Sequence, residues 1–228
     1  DQSRGVPPPP LEKPFAPDSR RVDLVAAGQW QNIGGVDLES AIRSRQSRRS
    51  YSRDPLSLDE LSFLLWATQG IRERVDEATA LRTVPSAGSR HALETYLAVF
   101  NVGGLESAVY RYLPVEHQLL LEFQEGRAAA GLAQAALGQS FLRQAAVVFI
   151  WTAIPYRMEW RYGLAAHKVI ALDAGHVCQN LYLACEAIGA GTCAVAAYHQ
   201  EMMDRFLRID GRDEFVVYLA PVGKVQAG

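Results

Sequence analysis

Ile170, Ala174, Val177, Leu181, Ala184 and Ile188 recur at intervals of four, three, four, three and four residues. An α-helix turns such a series into one unbroken apolar face. The spacing predicts a long helix over residues 165–188, closed by Gly189. Asp173, His176 and Asn180 make a second, polar stripe at the same periodicity. Polar groups on so apolar a helix are expected at a subunit interface or in a satisfied buried network.

Strand signals surround that helix. Residues 95–102, 108–113 and 119–123 read as a meander with a turn at Gly103-Gly104. Residues 147–152 form a continuous β-rich apolar run, expected of a strand covered on both faces. Further strands are predicted over 192–197 and 214–219, and helices over 38–45, 127–144 and 199–207. Asp37 can N-cap the first of these, with Leu38 and Ile42 on one face. Ser57-Leu58-Asp59-Glu60 is a capping box, Leu56 can staple onto Leu61, and Gly70 stops the helix that follows. The fold class is therefore α+β, a central, mostly antiparallel sheet surrounded by helices. It is expected as a single domain over 36–228. Residues 1–35, with Pro7 to Pro10, Pro14 and Pro17, read as an extended arm. That arm is either a tail without fixed structure or a strap across a partner subunit, anchored by Leu11, Phe15 and Val22 to Val25.

Composition excludes several classes. With 49% hydrophobic and 21% charged residues, the chain of 228 is globular, not fibrous or disordered. Lys+Arg number 23 against 25 Asp+Glu, so no nucleic-acid partner is expected and any basic site is a local cluster. The longest uncharged apolar run, 145–154, is far short of the ~20 residues of a membrane span. Cys178, Cys185 and Cys193 are odd in number and contain no CxxC, which suggests neither a disulfide framework nor zinc. That usage favours a soluble protein of the reducing cytoplasm. The chain starts at Asp1 without Met, so an exported form is expected if a signal peptide was removed. His167 and His176 belong to no metal-ligand motif, and no metal is expected. Gly189-Ala190-Gly191-Thr192-Cys193-Ala194 matches GxGxxA, but a helix precedes it and a strand follows, the reverse of a dinucleotide fingerprint.

Four arginines fall within seven positions in Arg43-Ser44-Arg45-Gln46-Ser47-Arg48-Arg49-Ser50. The run fits a solvated helix end, where cations are favoured. It fits equally an anion clamp, since guanidinium forks beside hydroxyls suit a phosphate monoester. Three further segments follow in order: Arg82-Thr83-Val84-Pro85-Ser86-Ala87-Gly88, then Ala174-Gly175-His176 with Gln179-Asn180-Leu181, then Pro221-Val222-Gly223-Lys224. Taken together, the four resemble the nitroreductase-like superfamily of FMN-dependent oxidoreductases. The branch most similar is that of the dehydrogenases that oxidise thiazolines and oxazolines in ribosomal-peptide maturation. The resemblance covers about residues 38–225.

It implies a homodimer with FMN in a cleft between subunits. Arg48 and Ser50 match the family's phosphate-binding Arg-x-Ser, with Arg49 between them. Pro85, Ser86, Ala87 and Ser89 match the Pro-Ser-rich loop that the other subunit lays against the flavin. Ala196 and Ala197 match the segment passing the isoalloxazine ring, and Lys224 the basic residue near the phosphate. Ser89 stands where nitroreductases often carry Asn, which favours the dehydrogenase branch. That branch's acid/base pair, Lys-Tyr before a glycine, corresponds to Arg161-Tyr162-Gly163. Tyr162 matches; an arginine does not serve as a base near neutral pH, so Arg161 is an electrostatic aid. The implied activity passes hydride through flavin N5 on a small organic or modified-peptide substrate. Nothing resembles a nicotinamide-binding domain, so NAD(P)H as reductant would visit the same cleft. The alternative is a flavin-binding or sensing protein without turnover.

Overall fold

The computed structural model describes residues 1–126 and 128–226. Arg127, the first residue of the expected 127–144 helix, and residues 227–228 of the expected domain lie outside the described residues. In chain order the elements begin with β1 (Arg21–Asp23), α1 (Leu38–Ser44), α2 (Leu58–Gln69), β2 (Ile71–Arg74) and β3 (Ala80–Arg82). β4 (Leu93–Val99), β5 (Ala108–Leu113), β6 (Gln118–Phe123), α3 (Ala128–Ala135) and β7 (Val147–Ala153) follow. α4 (Tyr156–Tyr162), α5 (Ala166–Ala187), β8 (Ala190–Thr192), α6 (Gln200–Leu207) and β9 (Phe215–Lys224) complete the chain.

Every residue of β7 is buried. Side chains alternate sides along a strand. Val147, Phe149, Trp151 and Ala153 enter one apolar cluster with Leu61 and Leu65 of α2 and Val177 and Leu181 of α5. Val148 and Ile150 enter another with Leu132 of α3 and Met203 and Leu207 of α6. The continuous apolar run thus marks a strand covered on both sides, in a helix–sheet–helix sandwich. The seven strands run in the order β1-β6-β5-β4-β7-β9-β8. All six pairings are antiparallel. The class is α+β, as expected.

Local signals placed several ends well. Ser57 Oγ accepts from Glu60 N at 3.1 Å while Glu60 returns to Ser57 N at 2.9 Å, the capping box read from sequence. Gly189 has φ of +60° just past α5, so its role is helix termination. Other expectations need correction. The 127–144 helix breaks because Leu137 and Gly138 take φ of +56° and +78°; α3 ends at Ala135 and only a 3₁₀ stretch follows. The 192–197 strand is cut to β8, with Val195 alone bridging Leu219 beyond it. The long helix is preceded by the separate two-turn α4, so Tyr162 ends one helix rather than starting another. Leu38 and Ile42 of α1 face solvent, being 67% and 57% exposed, and only Ala41 is buried. The polar stripe of α5 is divided: Asn180 Nδ2 donates to Ala67 O, Asp173 is buried against residues 86–87, and His176 is exposed.

The arm has fixed structure, and it packs on its own chain. The cause is a set of buried arginines that need acceptors. Arg82 Nη2 donates to Leu11 O at 3.0 Å, Arg111 Nη1 to Lys13 O at 2.7 Å, and Arg111 Nη2 to Pro14 O at 3.3 Å. Lys13 Nζ reaches Glu214 at 2.6 Å and Tyr96 Oη at 3.0 Å. Further out, Trp160 Nε1 donates to Val6 O, and β1 pairs with β6. The three cysteines are free and buried. Among the described residues no helix is long and apolar enough to cross a membrane.

Candidate active site

Two polar recesses hold Arg48, Arg49 and Ser50 in one and Pro85, Ser86 and Ser89 in the other. The first is built on a pair of glycines. Gly191 of β8 and Gly223 of β9 are register partners. A Cβ at Gly191 would lie 2.5 Å from Arg48 Cδ, and one at Gly223 would lie 2.8 Å from the Tyr51 ring. The missing side chains let residues 48–51 lie flat on the sheet edge. Arg48 N donates to Thr192 O at 2.9 Å and Ser52 N to Lys224 O at 2.8 Å, fixing the segment at both ends. Tyr51 Oη donates to Arg48 O at 2.8 Å. The resulting recess of about 350 Å³ is lined by Arg48, Arg49, Ser50 and Ser52, with Val225 and Gln226 opposite. Arg48 Nε and Thr192 Oγ1 are buried without a hydrogen-bond partner among the described residues. Buried donors are normally satisfied, so this recess is set for an incoming acceptor. An anionic, multi-oxygen group fits the donors present.

The second recess is built on the loop, which Tyr162 meets at Gly88. Pro85, Ser86 and Ser89 line a recess of about 380 Å³ with Arg72, Arg82 and His91. Ser86 Oγ donates to Asp173 Oδ2 at 2.6 Å and accepts from His91 N at 2.9 Å, so α5 positions the loop. Burial pushes the Asp173 carboxyl up, partly offset by the Ser86 hydroxyl. Burial, then the Arg82 charge, lowers His91 to about 3. His91 is therefore neutral at physiological pH and adds no cation there. Gly88 carries φ of +57°, and a Cβ there would lie 2.8 Å from Tyr162 Oη and 2.9 Å from Arg161 Nε. The loop and the Arg161-Tyr162 pair are thus in close contact. Gly88→Ala should cost about 1–2 kcal/mol from the left-handed backbone alone. A thermal melt should show a midpoint lowered by about 2–8 °C.

The remaining candidates are placed apart from both. Ala196 and Ala197 are exposed in the coil after β8, where Ala197 O accepts from Gln139 Nε2 at 2.8 Å. The Lys224 ammonium lies outside the arginine recess, ion-paired with Glu60 and donating to Ile188 O at 2.6 Å. The two recesses sit toward opposite ends of α5. Asp173 holds the loop of one, and Gly189, just past the other end of the helix, accepts from Val225 N of the other. Sequence reading missed the contributions of Gly191, Gly223 and Tyr51. Gly191 lay inside the rejected GxGxxA match, and close backbone approach was the available signal. Among the described residues no group of His, Cys, Asp or Glu gathers to hold a metal.

The fold recurs in solved structures. A nitroreductase-type protein of Ralstonia eutropha superposes with a TM-score of 0.75 at 23% identity, covering 98% of this chain and 100% of that one. A chain of the E. coli microcin synthetase complex McbBCD, solved with truncated pro-MccB17 bound, gives a TM-score of 0.66 at 16% identity over 90% of this chain and 79% of that one. A sequence relative in Methanocaldococcus jannaschii, named for a nitroreductase, is 35% identical over 196 residues, 86% of this chain and 95% of its own. Layered fold and relatives together place the protein among the α+β oxidoreductases of flavin type. The sequence model of the nitroreductase family matches residues 42–224, and the chain belongs to that family.

Proposed function

We propose that the protein is an FMN-dependent oxidoreductase acting on a small organic or modified-peptide substrate. The observation that carries this reading is the buried, unpartnered Arg48 Nε in a recess shared with Arg49 and Ser50. Those groups suit one terminal phosphate, which FMN presents. When bound, FMN supplies hydride transfer at N5, with NAD(P)H as a reductant visiting the same cleft. The chain's own residues do the rest. Arg48, Arg49 and Ser50 anchor the phosphate; the Pro85 to Ser89 loop and the Ala196-Ala197 backbone bound the ring; Tyr162 holds or releases a proton through its hydroxyl. Lys224, tied to Glu60, sets the strand edge from which the recess opens.

One copy of the chain separates the phosphate recess from the loop by most of the length of α5, so a second copy completes the site. A homodimer follows, and the exposed α1 face and the exposed positions of α5 are surfaces it would cover. Residues 36–228 form the flavin-binding domain, with the 1–35 arm strapped over it. The peptide half of the substrate reading is supported by the shared fold with a chain of McbBCD, a complex solved with a pro-peptide bound.

The purified protein should be yellow and should release FMN, not FAD, on denaturation. Arg48→Ala should weaken FMN binding by about 10- to 100-fold, the value of one charge-assisted hydrogen bond. A flavin titration that finds wild-type affinity in that variant would reduce the arginine run to a solvated helix end.

A further inference from the structure

Two guanidinium groups converge on Gly88 from different elements. Arg90 Nε donates to Gly88 O at 3.1 Å and Nη2 to Thr79 Oγ1 at 3.1 Å, while its guanidinium carbon lies 5.2 Å over the Trp160 ring. These contacts fix the group and leave Nη1 uncommitted. Arg161, exposed at the end of α4, brings Nε to within 2.9 Å of where a Gly88 Cβ would stand, and its guanidinium carbon lies 5.8 Å over the Tyr162 ring. The Tyr162 hydroxyl reaches the same point at 2.8 Å. Among the described residues neither guanidinium has a carboxylate within ion-pairing distance.

Like charges gathered around one backbone position repel, and this pair lacks a direct counter-ion. Burial first, then the Arg161 charge, holds Arg90 below the usual arginine range; Asp76 acts against this without forming an ion pair. A structural role does not require the arrangement, because among the described residues Arg161 makes no side-chain hydrogen bond that holds the fold. An incoming anion would relieve it. Guanidinium forks bind carboxylates by two oxygens at once. Two residues beyond Tyr162 in the chain, Leu164 is fully exposed, with a relative exposure of 101%, and offers apolar surface to an organic body.

We propose that Arg90 and Arg161 form a binding site for an organic carboxylate, the anionic end of the substrate, beside the Tyr162 hydroxyl that handles the proton. The word substrate rests on the function proposed above; the site itself rests on the geometry around Gly88. It deepens that reading by assigning a charge to the molecule that the oxidoreductase accepts. A small acid and a peptide C-terminus present the same group, so both belong in the test.

The test is isothermal titration of the purified protein, with and without added FMN. The ligands are benzoate, benzyl alcohol, inorganic phosphate, and a short peptide with a free or amidated C-terminus. Benzoate should bind at least tenfold more tightly than benzyl alcohol. Arg90→Gln and Arg161→Gln should each abolish that preference, and Arg90→Lys and Arg161→Lys should retain part of it. A free peptide that outbinds both its amide and benzoate would assign the carboxylate to a peptide terminus; the reverse order would assign it to a small acid. Equal binding of benzoate and benzyl alcohol would overturn the site, as would phosphate binding as tightly as benzoate to the flavin-loaded protein, or a preference surviving the Arg90→Gln, Arg161→Gln double variant. Protein that binds benzoate but takes up no FMN would overturn the proposed function and leave the site standing. Flavin-loaded protein indifferent to benzoate would do the opposite.

Discussion

Glu94→Ala should destabilise the protein by about 3–5 kcal/mol, the cost of leaving buried charge without its partner. Glu94 is 3% exposed and lies 2.6 Å from Arg157 Nη2 and 3.5 Å from Arg111 Nη1, both side chains being 2% exposed. It also accepts from Lys13 N at 2.9 Å, so its loss frees the arm at the point where the arm covers the cluster. A chain of this size should show a midpoint lowered by about 6–20 °C. Burial alone would push the Glu94 carboxyl up, but Arg157 and Arg111 outweigh it and hold it below the ordinary value of 4.5. With the folded value depressed, this stabilisation is complete above about pH 4.5 and is lost as pH falls through the lower folded value. Acid unfolding should therefore be steeper in the wild type than in Glu94→Ala. An unchanged melting temperature would show the cluster to be hydrated and the arm indifferent to it.

Tyr162→Phe should lower turnover by about 10²- to 10⁴-fold, the usual worth of a positioned acid or base, while FMN stays bound. The substitution removes the hydroxyl that meets Gly88 and keeps the ring that packs against the main apolar cluster. Stopped-flow reduction and reoxidation of the flavin separate the two half-reactions. Wild-type rates in both would make Tyr162 a packing residue and shift attention to Arg161.

The sequence made the layered core legible because its signals were local and periodic. The apolar series from Ile170 to Ile188 and the capping box at Ser57 each specify backbone through neighbours within a few residues. β7 was readable for a related reason: burial on both faces requires apolar residues at every position. The arginine recess was reached through Arg48, Arg49 and Ser50, but its floor was not. Gly191 and Gly223 act across two strands, and nothing within one strand marks their pairing. α4 escaped because seven residues give two turns, too few for a period to emerge, and Pro155 before it reads as a break. The arm escaped because its partners are far away in sequence. Carbonyls of Leu11, Lys13 and Pro14 are chemically ordinary until Arg82 and Arg111 are seen buried beneath them.

That arm also sets an order of events during synthesis. Lys13 leaves the ribosome early, yet Glu214, its ion-pair partner, follows 201 residues later. At about 5–20 residues per second, the interval is roughly 10–40 s. β4, β5 and β6 are complete by Phe123, so Glu94, Arg111 and the β6 edge are ready for the arm well before Glu214 is made. Pro7 to Pro10 keep this waiting segment extended and unable to coil into a premature helix. The Lys13–Glu214 contact is thus the late one, and it closes over an arm whose other partners are already in place.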